Sequence, residues 1–305
     1  MPTHLSSTEM HKIITQLNRM NLDTVDYAYV KEMIARLTNG LSMIVQSRGG
    51  ADCLFRVRRG AQKKISNISE ILSPPPSAVS NYQRCNAPGE PLFYAASTRM
   101  AAIKESRTEF GEIIYLGQWI NHTNYPVNVV LMSDISNYNF VYREAEKVLY
   151  PYFDALFTRR VHSTFSNDYK LTSALSEQLM TRVPKEIKGV GDDGLVAMKY
   201  PSVANLGSNI HNTVMHPDFV KKHIQLKHLM EAEVIKKGDD VSLKILDTAT
   251  FFSDGVINWT GEKYHIPYLR QKNDTILFFN DNGTASLAML QEEPDEYYID
   301  RLLID

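Results

Sequence analysis

The first part of the chain places apolar residues at the spacing of an amphipathic α-helix. Ser6 and Glu9 stand three apart, as in a capping box, in which each side chain bonds the other residue's backbone amide. Apolar residues then follow at helical intervals, namely Met10, Ile13, Ile14 and Leu17. A second pattern predicts a helix over residues 29–45, weakened by Gly40. Gly49-Gly50 ends this helical part and predicts a domain boundary.

After this boundary the pattern changes to the period of a β-strand. Residues 53–58 alternate apolar and cationic side chains, which predicts a strand. Further strands are predicted at 91–96, 111–120 and 195–198, and helices at 142–159 and 169–180. The apolar run at 127–132 is compatible with a strand or a helical turn.

The last third of the chain is predicted to be rich in strands. Residues 217–235 begin with a helical pattern, and residues 241–246 alternate as a strand does. The run at 275–279, followed by Asp-Asn-Gly at 281–283, is typical of a β-hairpin. Helices and strands do not alternate regularly, so we expect an α+β fold. We divide the chain into an N-terminal helical extension, 1–48, and one domain over 49–305.

Composition narrows the class of protein. The chain has 305 residues, 43% of them hydrophobic, and a formal net charge of -2. Such a composition predicts a soluble globular protein and argues against a nucleic-acid binder, which is usually basic. The sequence holds no apolar run that suits a membrane span and no signal-peptide pattern at its start. Its two cysteines, Cys53 and Cys85, form no C-x-x-C pair, so we expect a cytoplasmic protein without disulfides.

Familiar catalytic motifs are missing from the sequence. It has no P-loop, no H-E-x-x-H and no G-x-S-x-G. Four histidines follow one another loosely and match no zinc-binding spacing: His211, His216, His223 and His228. We therefore expect no metal site.

The polar residues that remain as candidates are Arg56, Arg84, Asn86, Tyr94, Glu105 and Ser202, and ordinary structural alternatives compete with a functional role. Arg56 and Arg58 are also compatible with a solvated strand face, and Tyr94 with a core aromatic. Glu105 fits an exposed helix surface, and Ser202 fits a cap after a Tyr-Pro step. Composition and periodicity alone do not separate these alternatives from function.

Seven short motifs occur in one order along the chain. They are FRVR at 55–58, PP at 74–75, RCNAPG at 84–89, LFYAA at 92–96, AAIKE at 101–105, DGLVAMKYPS at 193–202 and GSN at 207–209. This order resembles the RES domain, a family named for an Arg, a Glu and a Ser. The resemblance covers residues 54–209 with an interrupted middle. The turn at 82–86 lacks the Gly pair and the Trp of short RES toxins, so the chain is similar to a longer branch of the family.

The resemblance implies a fold and a division of the domain. It implies an ADP-ribosyltransferase-like core of two packed, mainly antiparallel sheets with flanking helices. The long interval between Glu105 and Ser202 then holds a helical insertion around residues 136–182. The N-terminal helices become a regulatory or dimer surface, or a cover for the core.

The resemblance also implies NAD as the substrate rather than as a cofactor. The matching catalytic residues are Arg56, Tyr94, Glu105 and Ser202. In these roles Glu105 stabilises the ribosyl cation, Arg56 grips the pyrophosphate and Tyr94 stacks on nicotinamide. Ser202 donates to ribose or phosphate oxygens. Further NAD-binding candidates are Arg58, Arg84, Asn86 and Asn209.

Three functions follow from the resemblance. The first is an NAD glycohydrolase with a toxin or defence role, restrained by an antitoxin or another regulatory protein. The second is an ADP-ribosyltransferase that modifies a protein, and the third is a non-catalytic nucleotide-binding module. A homo-oligomer is compatible with all three, and neither nucleic acid nor a membrane is an expected partner.

Overall fold

The computed structural model describes most of the chain. It describes residues 5–41, 45–48, 53–123, 125, 127–132, 144–180, 195–205, 210–236 and 241–261, together with the backbone of four strands at 268–269, 275–279, 284–289 and 299–300. The predictions for Asn209, for the boundary at 49–50 and for the turn at 281–283 lie outside these residues.

Helices and strands follow one another irregularly along the chain. The helices among the described residues are α1 (Ser7–Arg19), α2 (Tyr27–Thr38), α3 (Arg99–Glu105), α4 (Glu144–Thr158), α5 (Lys170–Met180) and α6 (Pro217–His223). The strands are β1 (Val45–Arg48), β2 (Leu54–Arg59), β3 (Phe93–Ala96), β4 (Ile113–Asn121), β5 (Val127–Leu131), β6 (Ala197–Pro201), β7 (His211–Met215), β8 (Ile224–Lys236), β9 (Val241–Ala249), β10 (Phe251–Ser253), β11 (Val256–Asn258), β12 (Tyr268–Leu269), β13 (Thr275–Phe279), β14 (Thr284–Met289) and β15 (Ile299–Asp300).

The two N-terminal helices show how local sequence sets their ends. The capping box of α1 is confirmed, because the Glu9 amide donates to Ser6 Oγ at 3.3 Å and the Ser6 amide donates to Glu9 Oε2 at 2.8 Å. The predicted end of α2 at residue 45 is wrong. Gly40 takes a φ of 73°, in the left-handed region that stops a helix, and Val45 begins β1.

Most strands join one large mixed sheet. Their order is β1-β5-β6-β7-β3-β2-β4-β8-β9-β14-β13, and among the described strand pairs of this sheet only β5 and β6 run parallel. The α+β class is therefore confirmed. The apolar run at 127–132 forms strand β5, the helical start at 217 leads into β8, and β13 pairs with β14 as the predicted hairpin.

Five of the described helices pack against one face of the sheet. Successive side chains of β3 point to opposite faces, so Tyr94 and Ala96 share one face and Phe93 and Ala95 share the other. On the Tyr94 face, buried residues of α1, α2, α4 and α5 form one apolar group, which we call the helical cluster. Helix α3 covers the same face over β2, β4, β8 and β9. The N-terminal helices therefore share a core with α4 and α5.

Strands β2 and β3 diverge after a single paired position. Phe55 lies opposite Ala96, whereas β2 and β4 pair along the whole of β2. In place of a continued ladder, the Arg56 guanidinium donates to the carbonyl of Tyr94 at 2.8 Å. We call this opening between β2 and β3 the wedge.

We predict that the N-terminal helices and the rest of the core unfold as one unit. Ile34 of α2 is fully buried in the helical cluster. Ile34→Ala should lower the free energy of unfolding by about 2–5 kcal/mol, because it leaves a cavity. The exposed neighbour Glu32 provides a control, and Glu32→Ala should change stability by no more than about 0.5 kcal/mol. In urea titrations, a separate early transition that alone responds to Ile34→Ala would contradict this expectation.

Candidate functional site

A large cavity lies over the wedge. Its volume is about 980 Å³, near the upper end of the size range of small-molecule sites. Its lining comes from β2, β3 and α3, from the turn at 81–84 and from the segment 160–169. These elements stand far apart in sequence, so the cavity depends on the whole fold.

Glu105 is held at the end of α3 with one carboxylate oxygen available. Helix α3 begins at Thr98, whose hydroxyl accepts from the Ala101 amide at 3.1 Å. Glu105 Oε1 accepts from Ser202 Oγ at 2.7 Å and from the Ala204 amide at 3.2 Å. Among the described residues, Glu105 Oε2 accepts no hydrogen bond. The hydrogen bonds to Oε1 therefore orient the carboxylate, and Oε2 bonds none of the described residues while Glu105 lines the cavity.

Ser202 supports this carboxylate from a buried position. Its side chain is 1% exposed, and its amide donates to the carbonyl of Ile210 at 3.1 Å. Ser202 itself is absent from the described lining, while its neighbours Val203 and Ala204 belong to it. The structure thus places Ser202 as a residue that positions Glu105.

Tyr94 is fixed by the turn that contains the RCN motif. Its hydroxyl donates to Asn86 Oδ1 at 2.6 Å and accepts from the Cys85 amide at 3.0 Å. Burial raises the pKa of Tyr94 well above its usual value, so the phenol is neutral. Asn86 is buried and lies outside the described lining, so it contributes by holding Tyr94.

Arg56 spans the wedge and lines the cavity. Besides its bond to Tyr94, it donates to the carbonyls of Ile71 at 2.9 Å and Leu72 at 3.1 Å. Burial lowers the pKa of Arg56 to about 10, with a smaller contribution from the charge of Arg58, and the side chain remains cationic at neutral pH. Three of its five N–H donors are engaged in these bonds. Arg58, by contrast, is exposed and lies outside the described lining.

The cavity is strongly cationic. In the described lining, Glu105 is the one carboxylate, and the cations are Arg56, Arg84, Lys104, Arg107 and Arg160. A concave surface lined by one sign of charge concentrates ligands of the opposite sign. The cavity therefore suits an anionic ligand such as a pyrophosphate.

Three of these cations were not predicted from the sequence as site residues. Lys104 precedes Glu105 in the AAIKE motif, so its position next to the carboxylate was a usable signal. Arg107 has a positive φ of 52°, and its side chain donates to the Val161 carbonyl at 3.0 Å. Arg160 follows α4 and belongs to no motif. Their presence in the cavity depends on contacts between distant segments.

The structure brings most of the predicted residues together. Arg56, Tyr94, Glu105 and Arg84 line one cavity, and Ser202 contacts Glu105.

The described residues contain no cluster of three His, Cys, Asp or Glu side chains that suits a metal ion. In the same part of the chain, no helix has the length and apolar character that a membrane crossing requires.

Comparison of the chain with protein-family models, with curated proteins and with solved structures gives no match.

We predict that the Tyr94 hydroxyl stabilises the site measurably. Tyr94→Phe removes the partner of Asn86 Oδ1 and of the Cys85 amide, so it should lower the free energy of unfolding by about 1–3 kcal/mol. Tyr29 is 46% exposed and has no described side-chain hydrogen bond, so Tyr29→Phe is the matched control. Equal stability of both variants in chemical denaturation would show that the turn does not depend on this hydroxyl.

Proposed function

We propose that the protein is an NAD glycohydrolase of the RES type, which hydrolyses the bond between nicotinamide and ribose. The observation that carries this proposal is a cationic cavity whose one carboxylate among the described lining residues, Glu105, is fixed through Oε1 while its Oε2 bonds none of the described residues. A dinucleotide needs both features, since its pyrophosphate is anionic and its scissile ribose becomes cationic. The order of the RES-like motifs supports the same assignment.

The reaction separates charge at the ribose. The bond between the nicotinamide nitrogen and the ribosyl carbon breaks, and its electron pair leaves with neutral nicotinamide. The positive charge that develops on the ribose resembles that of glycoside cleavage. Water then forms the new bond to carbon and releases a proton, which gives ADP-ribose. Glu105 Oε2 stabilises the cation and holds a ribose hydroxyl in this scheme.

The other residues orient the substrate. The two remaining N–H donors of Arg56, together with Arg84, bind the pyrophosphate. The ring of Tyr94 stacks on nicotinamide and aligns the leaving group. Ser202 holds Glu105 in its rotamer, which explains why a buried serine accompanies a catalytic carboxylate.

We also propose that the wedge corresponds to the division between the two sheets of an ADP-ribosyltransferase-like core. The single register pair between β2 and β3 supports this correspondence. Strands β1, β5, β6, β7 and β3 then form one half, and β2, β4, β8 and β9 begin the other. In this arrangement the substrate lies where the halves separate.

An enzyme that consumes NAD needs restraint in its own cell. A toxin or defence role in the cytoplasm, with an antitoxin or other regulatory protein as its partner, is consistent with the proposed activity. Transfer of ADP-ribose to a protein uses the same bond cleavage with a different acceptor.

We predict that Glu105→Gln removes turnover while the protein stays folded. Purified protein incubated with NAD should release equal amounts of nicotinamide and ADP-ribose, and chromatography measures both products. Glu105→Gln keeps the size of the side chain and loses its charge, so the rate should fall by about 10²–10³-fold. Glu109→Gln, at an exposed position outside the described lining, should retain the wild-type rate.

Two other outcomes lead to different conclusions. Nicotinamide release that requires an added protein acceptor would indicate ADP-ribosyl transfer. No release from folded wild-type protein, with or without an acceptor, would contradict the enzymatic proposal and favour a nucleotide-binding module.

A further inference from the structure

One short turn positions two aromatic rings of the cavity. The Cys85 amide and Asn86 Oδ1 hold the hydroxyl of Tyr94, as described above. The guanidinium of the preceding residue, Arg84, lies over the ring of Tyr169, 5.2 Å from its centroid. Both rings line the same cavity. The turn therefore fixes one ring on the sheet and one on the segment before α5.

The segment that carries Tyr169 is held at both ends. Arg84 Nη1 donates to the Phe157 carbonyl at 2.6 Å, at the end of α4. Lys170 Nζ, one residue beyond Tyr169, donates to the carbonyls of Leu22 at 2.7 Å and Val25 at 3.0 Å. Tyr169 is thus in place before any ligand binds, which lowers the entropic cost of binding.

Helix α5 also supports the turn directly. Ser173 Oγ donates to the carbonyls of Gln83 at 2.7 Å and Asn86 at 3.1 Å. Since α4 and α5 flank the Tyr169 segment, the same insertion supplies the ring and supports the turn that orients it. A purely structural connection between two helices does not require this arrangement.

The groups that the turn holds are of the three kinds that a dinucleotide needs. Tyr94 provides one flat apolar surface, Arg84 provides a cation, and Tyr169 provides a second flat surface. NAD has a flat base at each end and a pyrophosphate between them. With Tyr94 assigned to nicotinamide, Tyr169 is left for adenine, because aromatic rings stack on bases of any sequence.

We propose that Tyr169 is the adenine platform and that the insertion makes the enzyme select a dinucleotide over a mononucleotide. This inference rests on the proposed NAD-cleaving function. It assigns Tyr169 a role in substrate specificity and leaves bond cleavage to the Glu105 end of the cavity. Nicotinamide mononucleotide has the same scissile bond and no adenine, so it is the matched test substrate.

We predict that Tyr169→Ala lowers kcat/KM for NAD by about 10- to 100-fold, which is the loss expected for one stacked base. Its kcat/KM for nicotinamide mononucleotide should stay within about twofold of the wild-type value. Tyr169→Phe should keep the wild-type ratio, because the ring is retained. Phe165→Ala is the control, since Phe165 is 59% exposed in the same segment and lies outside the described lining.

A binding measurement separates this inference from the proposed function. AMP should bind the wild-type protein in calorimetry, and Tyr169→Ala should weaken that binding about 10-fold or more. Three outcomes would overturn the adenine platform: an equal loss of turnover on both substrates, no AMP binding to the wild-type protein, or AMP binding that is the same in the wild type and in Tyr169→Ala. A further outcome separates the two proposals. If Tyr169→Ala loses AMP binding and the wild-type protein does not turn over NAD, the adenine platform is supported and only the glycohydrolase activity is contradicted.

Discussion

The site depends on the three hydrogen bonds that Arg56 makes to backbone carbonyls. A strand pair that separates leaves carbonyls without ladder partners, and unpaired buried backbone groups cost free energy. Arg56 meets this need across the wedge, since it bonds one carbonyl of β3 and two carbonyls of the segment before the proline-rich turn. The wedge can therefore stay open within a continuous sheet. The cavity lies over that opening.

The same principle operates around the cavity, where polar side chains bond backbone atoms of distant segments. Arg84 donates to the Phe157 carbonyl in the last turn of α4, Arg107 donates to the Val161 carbonyl just after that helix, and Glu105 accepts from the Ala204 amide. Charged groups held in this way keep their orientation without a bound ligand. Electrostatic preorganisation of this kind is what catalysis of a charge-forming step requires. The bonds to Ser202 and Ala204 therefore orient the Glu105 carboxylate where the proposed reaction develops charge.

Local sequence patterns predicted helices and strands better than they predicted the contacts between them. The capping residue Ser6 lies within a few residues of the groups it bonds, so a short pattern was enough to find α1. The end of α2 was misjudged because the apolar pattern continues past Gly40 into β1. The divergence of β2 from β3 has no local signal, since it results from bonds between Arg56 and residues 15 to 38 positions away.

The residues of the candidate site were predicted from their types and their order in the sequence. Which of them line the cavity and which lie behind it was not predicted. Arg56, Tyr94 and Glu105 were selected through their motifs, and the fold brings them to one cavity. Asn86 and Ser202 lie behind the cavity surface, where they orient Tyr94 and Glu105, and that distinction needs coordinates. Arg107 and Arg160 line the cavity through tertiary contacts that no spacing in the sequence indicates.

The most direct measurement is a crystal structure of the Glu105→Gln variant with NAD, in which the substrate stays intact. We predict that the nicotinamide ribose lies within hydrogen-bonding distance of the side chain at position 105, with the pyrophosphate against Arg56 and Arg84. NAD bound away from the wedge, or a nicotinamide ribose remote from position 105, would contradict the assignment of this cavity as the site of NAD cleavage.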